Sequence, residues 1–168
     1  MSYAHAYPLA PIGGFIILTV GLGTLGGAIL PRYRMVLLAV SGLAACLMLW
    51  QFGASIAELF GAPTSFQVWS LVAAIAFEIV VIAVLVRKLR NRGERILNLA
   101  ILVGVGAHFL LMAPAFGPLI VVLGLLAIIN AAYGLRFPGV SFRILWFLDG
   151  ALKAAIGGVL WLAVPLWA

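Results

Sequence analysis

Glu78, His108, Asp149 and Lys153 lie inside stretches that are otherwise apolar enough to span a lipid bilayer. A charged side chain at the bilayer centre costs from ~3 to more than ~10 kcal/mol, so such groups need a partner or a water-filled path. Asp149 and Lys153 are spaced i, i+4 with the acid N-terminal, the favourable order for an ion pair on one helix face. Pairing offsets part of the insertion cost of each. The pair either neutralises itself while fixing how its helix packs, or lines an aqueous or substrate pathway. Glu78 has only Ala74, Ile75, Val81 and Ile82 at helical neighbour positions. It is therefore either held neutral, or it reaches Lys153 or His108 across the bundle. A lone carboxylate among apolar residues is a functional candidate in a membrane, against the competing role of a structural interhelical hydrogen bond. His108 could relay protons, gate or bind a ligand, or simply pack.

Other chemistries find little support. His5 and His108 are the only histidines, and no Cys or carboxylate is spaced to complete a site with either. No haem, metal or other cofactor is therefore expected. The single cysteine, Cys46, excludes an intrachain disulfide and reads as an inert packing thiol. No nucleophile–base pair, phosphate loop or zinc motif occurs, so no catalytic residue is assigned. An enzyme would need more polar residues near one interface than the chain supplies.

The elements that carry these residues are transmembrane helices. The chain is 66% apolar and 8% charged, which excludes a water-soluble domain. Runs of about 20 apolar residues predict six spans: Pro11–Leu30, Met35–Phe52, Val68–Val86, Ile96–Ala113, Leu119–Leu135 and Ile144–Val164. The expected fold is all-α, a polytopic membrane protein in which residues 1–168 form one helical bundle. Residues 1–10 carry no Lys or Arg, so a signal peptide is not expected and the first run is read as a retained helix.

Charge then orients the bundle. Arg32, Arg34, Arg87, Lys88, Arg90, Arg92, Arg95, Arg136 and Arg143 all fall after the first, third or fifth span. The positive-inside rule predicts three short basic cytoplasmic loops and both termini outside, in a cell membrane, with a bacterial inner membrane the expected setting. Trp50, Trp69, Trp161 and Trp167 then fall at the outer boundary, and Tyr33, Tyr133 and Trp146 at the inner one. Between the second and third spans, Ser55-Ile56-Ala57-Glu58 has the capping-box pattern and predicts a short helix on the membrane surface. The net charge of +6 is read as a topology signal touching anionic lipid headgroups, with no nucleic-acid partner expected.

Depth follows from the helical rise of ~1.5 Å per residue. Counted from the nearest cytoplasmic Arg, Asn130 and Asp149 lie roughly 9 Å in, Glu78 roughly 13 Å, Lys153 roughly 15 Å and His108 roughly 20 Å. Glu78, Asn130, Asp149 and Lys153 are thus expected to share one layer, with His108 above it. Gly23-xxx-Gly27 on the first span and Gly150-xxx-Ala154-xxx-Gly158 on the last predict close helix contacts, within a bundle or between copies.

Two resemblances add expectations. The run from Gly106-Ala107-His108-Phe109 to Pro118, followed by an Asp-Gly-xx-Lys helix at Asp149–Lys153, resembles uncharacterised small six-span bacterial membrane proteins over roughly the second half of the chain. That resemblance implies no activity. The six-span plan and the last helix, Phe147-Leu148-Asp149-Gly150-Ala151-Leu152-Lys153-Ala154, resemble the acid-gated urea channel and amide transporter family. That likeness implies a passive small-solute pore in a ring-shaped homo-oligomer, although the family's aromatic-rich third-span signature is absent. The Asp149/Lys153 spacing is also similar to the retinal-binding helix of microbial rhodopsins, but six spans instead of seven exclude that family. The expected function is a small-solute or proton-linked transporter or channel, with Glu78, Asn130, Asp149 and Lys153 along the path and His108 as an outer element. The alternative is a non-catalytic subunit or scaffold of a larger assembly. Either implies a homo-oligomer or a membrane complex.

Overall fold

In the computed structural model, which describes residues 6–163, six long helices run back and forth. They are α1 (Ala10–Ile29), α2 (Arg34–Phe60), α3 (Ser65–Leu89), α4 (Glu94–Leu111), α5 (Pro118–Arg136) and α6 (Phe142–Gly158). Single turns at Pro31–Tyr33 and Ala113–Phe116 join neighbours, and α6 continues into a wider π-helical turn at Val159–Ala163. All six helices are long and apolar enough to cross a membrane. No strand occurs among the described residues. The predicted spans at α1 and α3–α5 agree with these helices to within a turn. The second, Met35–Phe52, stops short of the Phe60 end of α2. The sixth, Ile144–Val164, runs through α6 and the π-helical turn to a residue outside the described ones.

Helix ends follow local chemistry. Pro31 stops α1, because proline cannot supply the amide the next turn needs. Gly117 adopts φ +85° and Pro118 opens α5, a pairing that lets the chain reverse direction and re-enter a helix at once. At the start of α3 the Thr64 hydroxyl accepts from the Gln67 amide at 3.3 Å, and the Gln67 side-chain oxygen accepts from the Thr64 amide at 2.9 Å. This is the capping box of the second connection. The pattern at Ser55–Glu58 does not serve as one: α2 runs unbroken through it to Phe60, so no separate surface helix forms. Ser55 lies within a helix whose backbone amides are already bonded to carbonyls of the preceding turn, which leaves its hydroxyl no orphan donor to cap.

Glycines set the packing. The most extensive contact is between α1 and α6, which lie antiparallel. Gly14 and Gly21 on α1 and Gly150 and Gly157 on α6 are each seven residues apart, so each pair lies on one helix face. A Cβ on Gly21 would sit 2.5 Å from the Ala154 amide nitrogen, and one on Gly157 would sit 2.4 Å from that of Leu18. The backbones therefore touch where van der Waals packing, the main force between helices in lipid, is greatest. The contact differs from the sequence expectation: Gly158 faces open space, and Gly23 and Gly27 pack on Ser41 and Arg34 of α2. α4 and α5 meet through reciprocal glycines, a Gly124 Cβ falling 2.6 Å from the Gly106 carbonyl oxygen.

Arginines tie the basic connections together. Arg95 donates to the carbonyls of Val140 at 2.7 Å and Gly134 at 3.0 Å, and Arg143 donates to those of Ala28 at 2.7 Å and Ile29 at 3.2 Å. The carbonyls of Gly134, Ala28 and Ile29 are among those left free at the ends of α5 and α1, so the guanidinium groups act as C-terminal caps. Arg34 also pairs with Glu94. The connections after α1, α3 and α5 thus meet at one end of the bundle.

The remaining helices are loosely held. α2 packs chiefly on α1, and α3 on α4 and the Ala113–Phe116 turn. Their outer faces expose Val36, Leu43, Leu47, Trp50, Phe66, Trp69, Val72 and Ile79. Cys46 lies on this outer face of α2 and is exposed, not packed as its apolar neighbours suggested, because α2 buries only the narrow stripe that meets α1.

Candidate functional site

Three helices, α3, α4 and α6, bring the ionisable side chains to one place. A cavity of about 430 Å³ lies between α1, α2, α3, α4 and α6, and Glu78, His108, Asp149 and Lys153 all line it. Two apolar clusters bracket this level. One contains Ile17, Phe109, Phe116 and Leu160, and the other Leu99, Leu102, Ala131 and Leu145. Asp149 and Lys153 occupy the stretch of α6 between Leu145 of the second cluster and Leu160 of the first.

Asp149 and Lys153 form an ion pair within α6, as their spacing predicts. Their side chains are 1% and 5% exposed, so water screens the pair little. Lys153 leans toward Asp149 because helical side chains tilt toward the N-terminus.

Glu78 finds its partner across a helix interface: its Oε2 is 3.6 Å from His108 Nδ1. The helical rise puts these residues at different depths, with His108 higher, yet their side chains meet. The reason is the same tilt acting in opposite directions. α3 and α4 are antiparallel, so Glu78 leans away from the basic end and His108 leans toward it. The gap is longer than a hydrogen bond. Both ring nitrogens of His108, buried to the last square ångström, have no hydrogen-bond partner among the described residues. Buried polar atoms are normally bonded, and the exceptions concentrate where a ligand, water or catalytic step supplies the missing partner.

Asn130 does not join this group. Its amide donates to the Leu145 carbonyl at 2.8 Å, tying α5 to α6. A shared depth put it with the others in the sequence reading, but depth does not fix which way a residue faces around its helix. His5 and Trp167 lie outside the described residues.

Two cavity residues escaped the sequence reading. Thr24, 2% exposed, lines the wall and donates to the Val20 carbonyl at 2.9 Å, a bond that satisfies a hydroxyl within its own helix. Trp146, expected at the inner aromatic belt, lines the cavity instead, and its buried indole N–H has no partner among the described residues. Its position three residues before Asp149 on the same face of α6 was the available signal. Trp161 likewise turns inward in part, its ring edge-on to Phe15 with centroids 5.1 Å apart.

The arrangement can hold a polar or charged group in an apolar enclosure. It presents a carboxylate facing an imidazole, an indole N–H and a self-paired ion pair. Among the described residues no group of three or more His, Cys, Asp or Glu could hold a metal ion. Neither a curated protein nor a solved structure matches the chain. The model described as "Family of unknown function (DUF6609)" matches residues 9–165, nearly the whole bundle, and the chain belongs to that family.

Proposed function

We propose that this protein is a small-solute or proton-linked transporter or channel whose pathway passes the Glu78/His108 and Asp149/Lys153 groups. The observation that carries the reading is that all four ionisable side chains of the bundle interior line a single cavity. Groups that served only to fix packing would be expected to satisfy one another in dry contacts. Asp149 and Lys153 do so, but the Glu78–His108 contact, at 3.6 Å, stops short of a hydrogen bond. Glu78 and His108, within a proton's reach of each other through one bridging group, suit proton exchange coupled to solute movement.

In this reading the basic connections face the cytoplasm and both termini lie outside, in a cell membrane. Basic side chains not engaged in capping meet anionic headgroups. The exposed apolar faces of α2 and α3 meet lipid or further copies of the chain, giving a homo-oligomer or a subunit of a larger complex. The competing role, a scaffold whose polar groups only fix packing, draws support from the Asn130–Leu145 tie and the buried ion pair.

Flux measurements separate the two. Proteoliposomes containing the wild type should show proton or solute flux driven by a pH gradient, and Glu78→Gln should abolish the proton-dependent part. If neither protein exceeds empty liposomes while both assemble normally, transport is wrong and the scaffold role stands.

A further inference from the structure

The charge balance of the cavity restricts what it can hold. Asp149 and Lys153 cancel each other in direct contact. The lining residues of α1 and α2 carry no charge. Glu78 is the carboxylate of the wall that no Lys or Arg meets, and its side chain is 29% exposed where those of His108, Asp149 and Lys153 are closed off.

Apart from the Thr24 hydroxyl, which is bonded within α1, the rest of the wall is mostly hydrocarbon and aromatic, including Ile17, Val105, Phe109, Met112, Phe116 and Trp146. An anion would meet the Glu78 carboxylate with Lys153 already occupied. A hydrated inorganic cation would find too few oxygen ligands to replace its water. A small polar neutral solute would have most of its hydrogen bonds unmet by such a wall. An apolar molecule carrying one diffuse positive charge suits every part: hydrocarbon against the aliphatic wall, charge against the carboxylate, and aromatic faces to receive the cation. The volume of about 430 Å³ lies within the range of pockets that enclose drug-sized molecules.

The route of entry agrees. Leu38 of α2 and Glu78 of α3 both line the cavity, yet these helices make no extensive contact with each other among the described residues. The outer faces of both helices are apolar and exposed, so a molecule partitioned into lipid can approach along them.

We infer that the cavity binds a lipophilic organic cation, a tertiary or quaternary ammonium on an apolar body, with its charge set against Glu78. The inference rests on the reading of this cavity as a solute site and names the class of solute.

Isothermal titration of the purified full chain in neutral detergent at alkaline pH, with benzyltriethylammonium as probe and benzyl alcohol as the uncharged control, tests it. The cation should bind and the alcohol should not, and Glu78→Gln should weaken the cation by about tenfold or more, the scale of a desolvated charge contact. Glu78→Asp, which keeps the charge, should retain binding, and Glu58→Gln on the outside of α2 should change nothing. A thermal unfolding midpoint for Glu78→Gln near the wild type secures its fold. Absence of cation binding, or equal binding by Glu78→Gln, overturns the inference. Cation binding without flux in proteoliposomes would sink transport and leave the ligand class standing; Glu78-dependent flux without cation binding would do the reverse.

Discussion

Removing Lys153 alone should harm this protein more than removing Lys153 and Asp149 together. The two side chains are in contact and 5% and 1% exposed, so neither charge has water to fall back on. Truncating one partner of a buried pair strands the other charge and typically costs ~3–5 kcal/mol. Replacing both by apolar or neutral groups of similar volume is often close to neutral, because the desolvation cost of two ions disappears along with their attraction. The prediction is that Lys153→Met and Asp149→Asn each destabilise, Lys153→Met by about 3 kcal/mol or more. The double substitution should recover most of that loss, giving a coupling energy of about 2 kcal/mol or more. The tryptophans give an intrinsic fluorescence signal for reversible unfolding in mixed detergent micelles, and the four proteins form a double-mutant cycle. Additive losses, with the double variant as unstable as the sum of its parts, would refute the reasoning. They would mean that Asp149 and Lys153 are solvated independently through the cavity and only happen to touch.

Two further outcomes follow from the packing and the caps. Gly21→Val should destabilise by at least ~1–3 kcal/mol, the usual range for overpacking, because even a Cβ there would sit 2.5 Å from the Ala154 nitrogen. Gly158→Ala, which faces open space, should be neutral or slightly stabilising in the same unfolding assay. Thr64→Ala should cost about 1 kcal/mol through loss of the α3 cap, while Ser55→Ala should leave the unfolding midpoint unchanged, since α2 runs straight through Ser55. A larger effect at Ser55 than at Thr64 would contradict the placement of the capping box.

Composition and apolar run length determined by themselves that this chain forms six long helices, because satisfying the backbone in lipid leaves few other solutions for a single short chain. Proline, glycine and arginine positions fixed where most helices end to within a turn. The Asp149–Lys153 pair was also legible, since an i, i+4 contact depends only on helix geometry within one segment. What sequence could not supply was rotation and tilt between segments. Asn130 and Asp149 have similar depths, yet Asn130 faces the α6 backbone and Asp149 the cavity. Glu78 and His108 have different depths, yet opposite side-chain tilts on antiparallel helices bring them together. Glycine spacing announced close approach but not its partner: the α1–α6 seam uses Gly14, Gly21, Gly150 and Gly157 and leaves Gly158 idle. Hydrophobic patterning is weak when both lipid and the interior are apolar, so the inward face of each helix is set by which surfaces fit. The sequence therefore supplied the ionisable groups and the helices that carry them, and tertiary packing alone decided that four of those groups share one cavity.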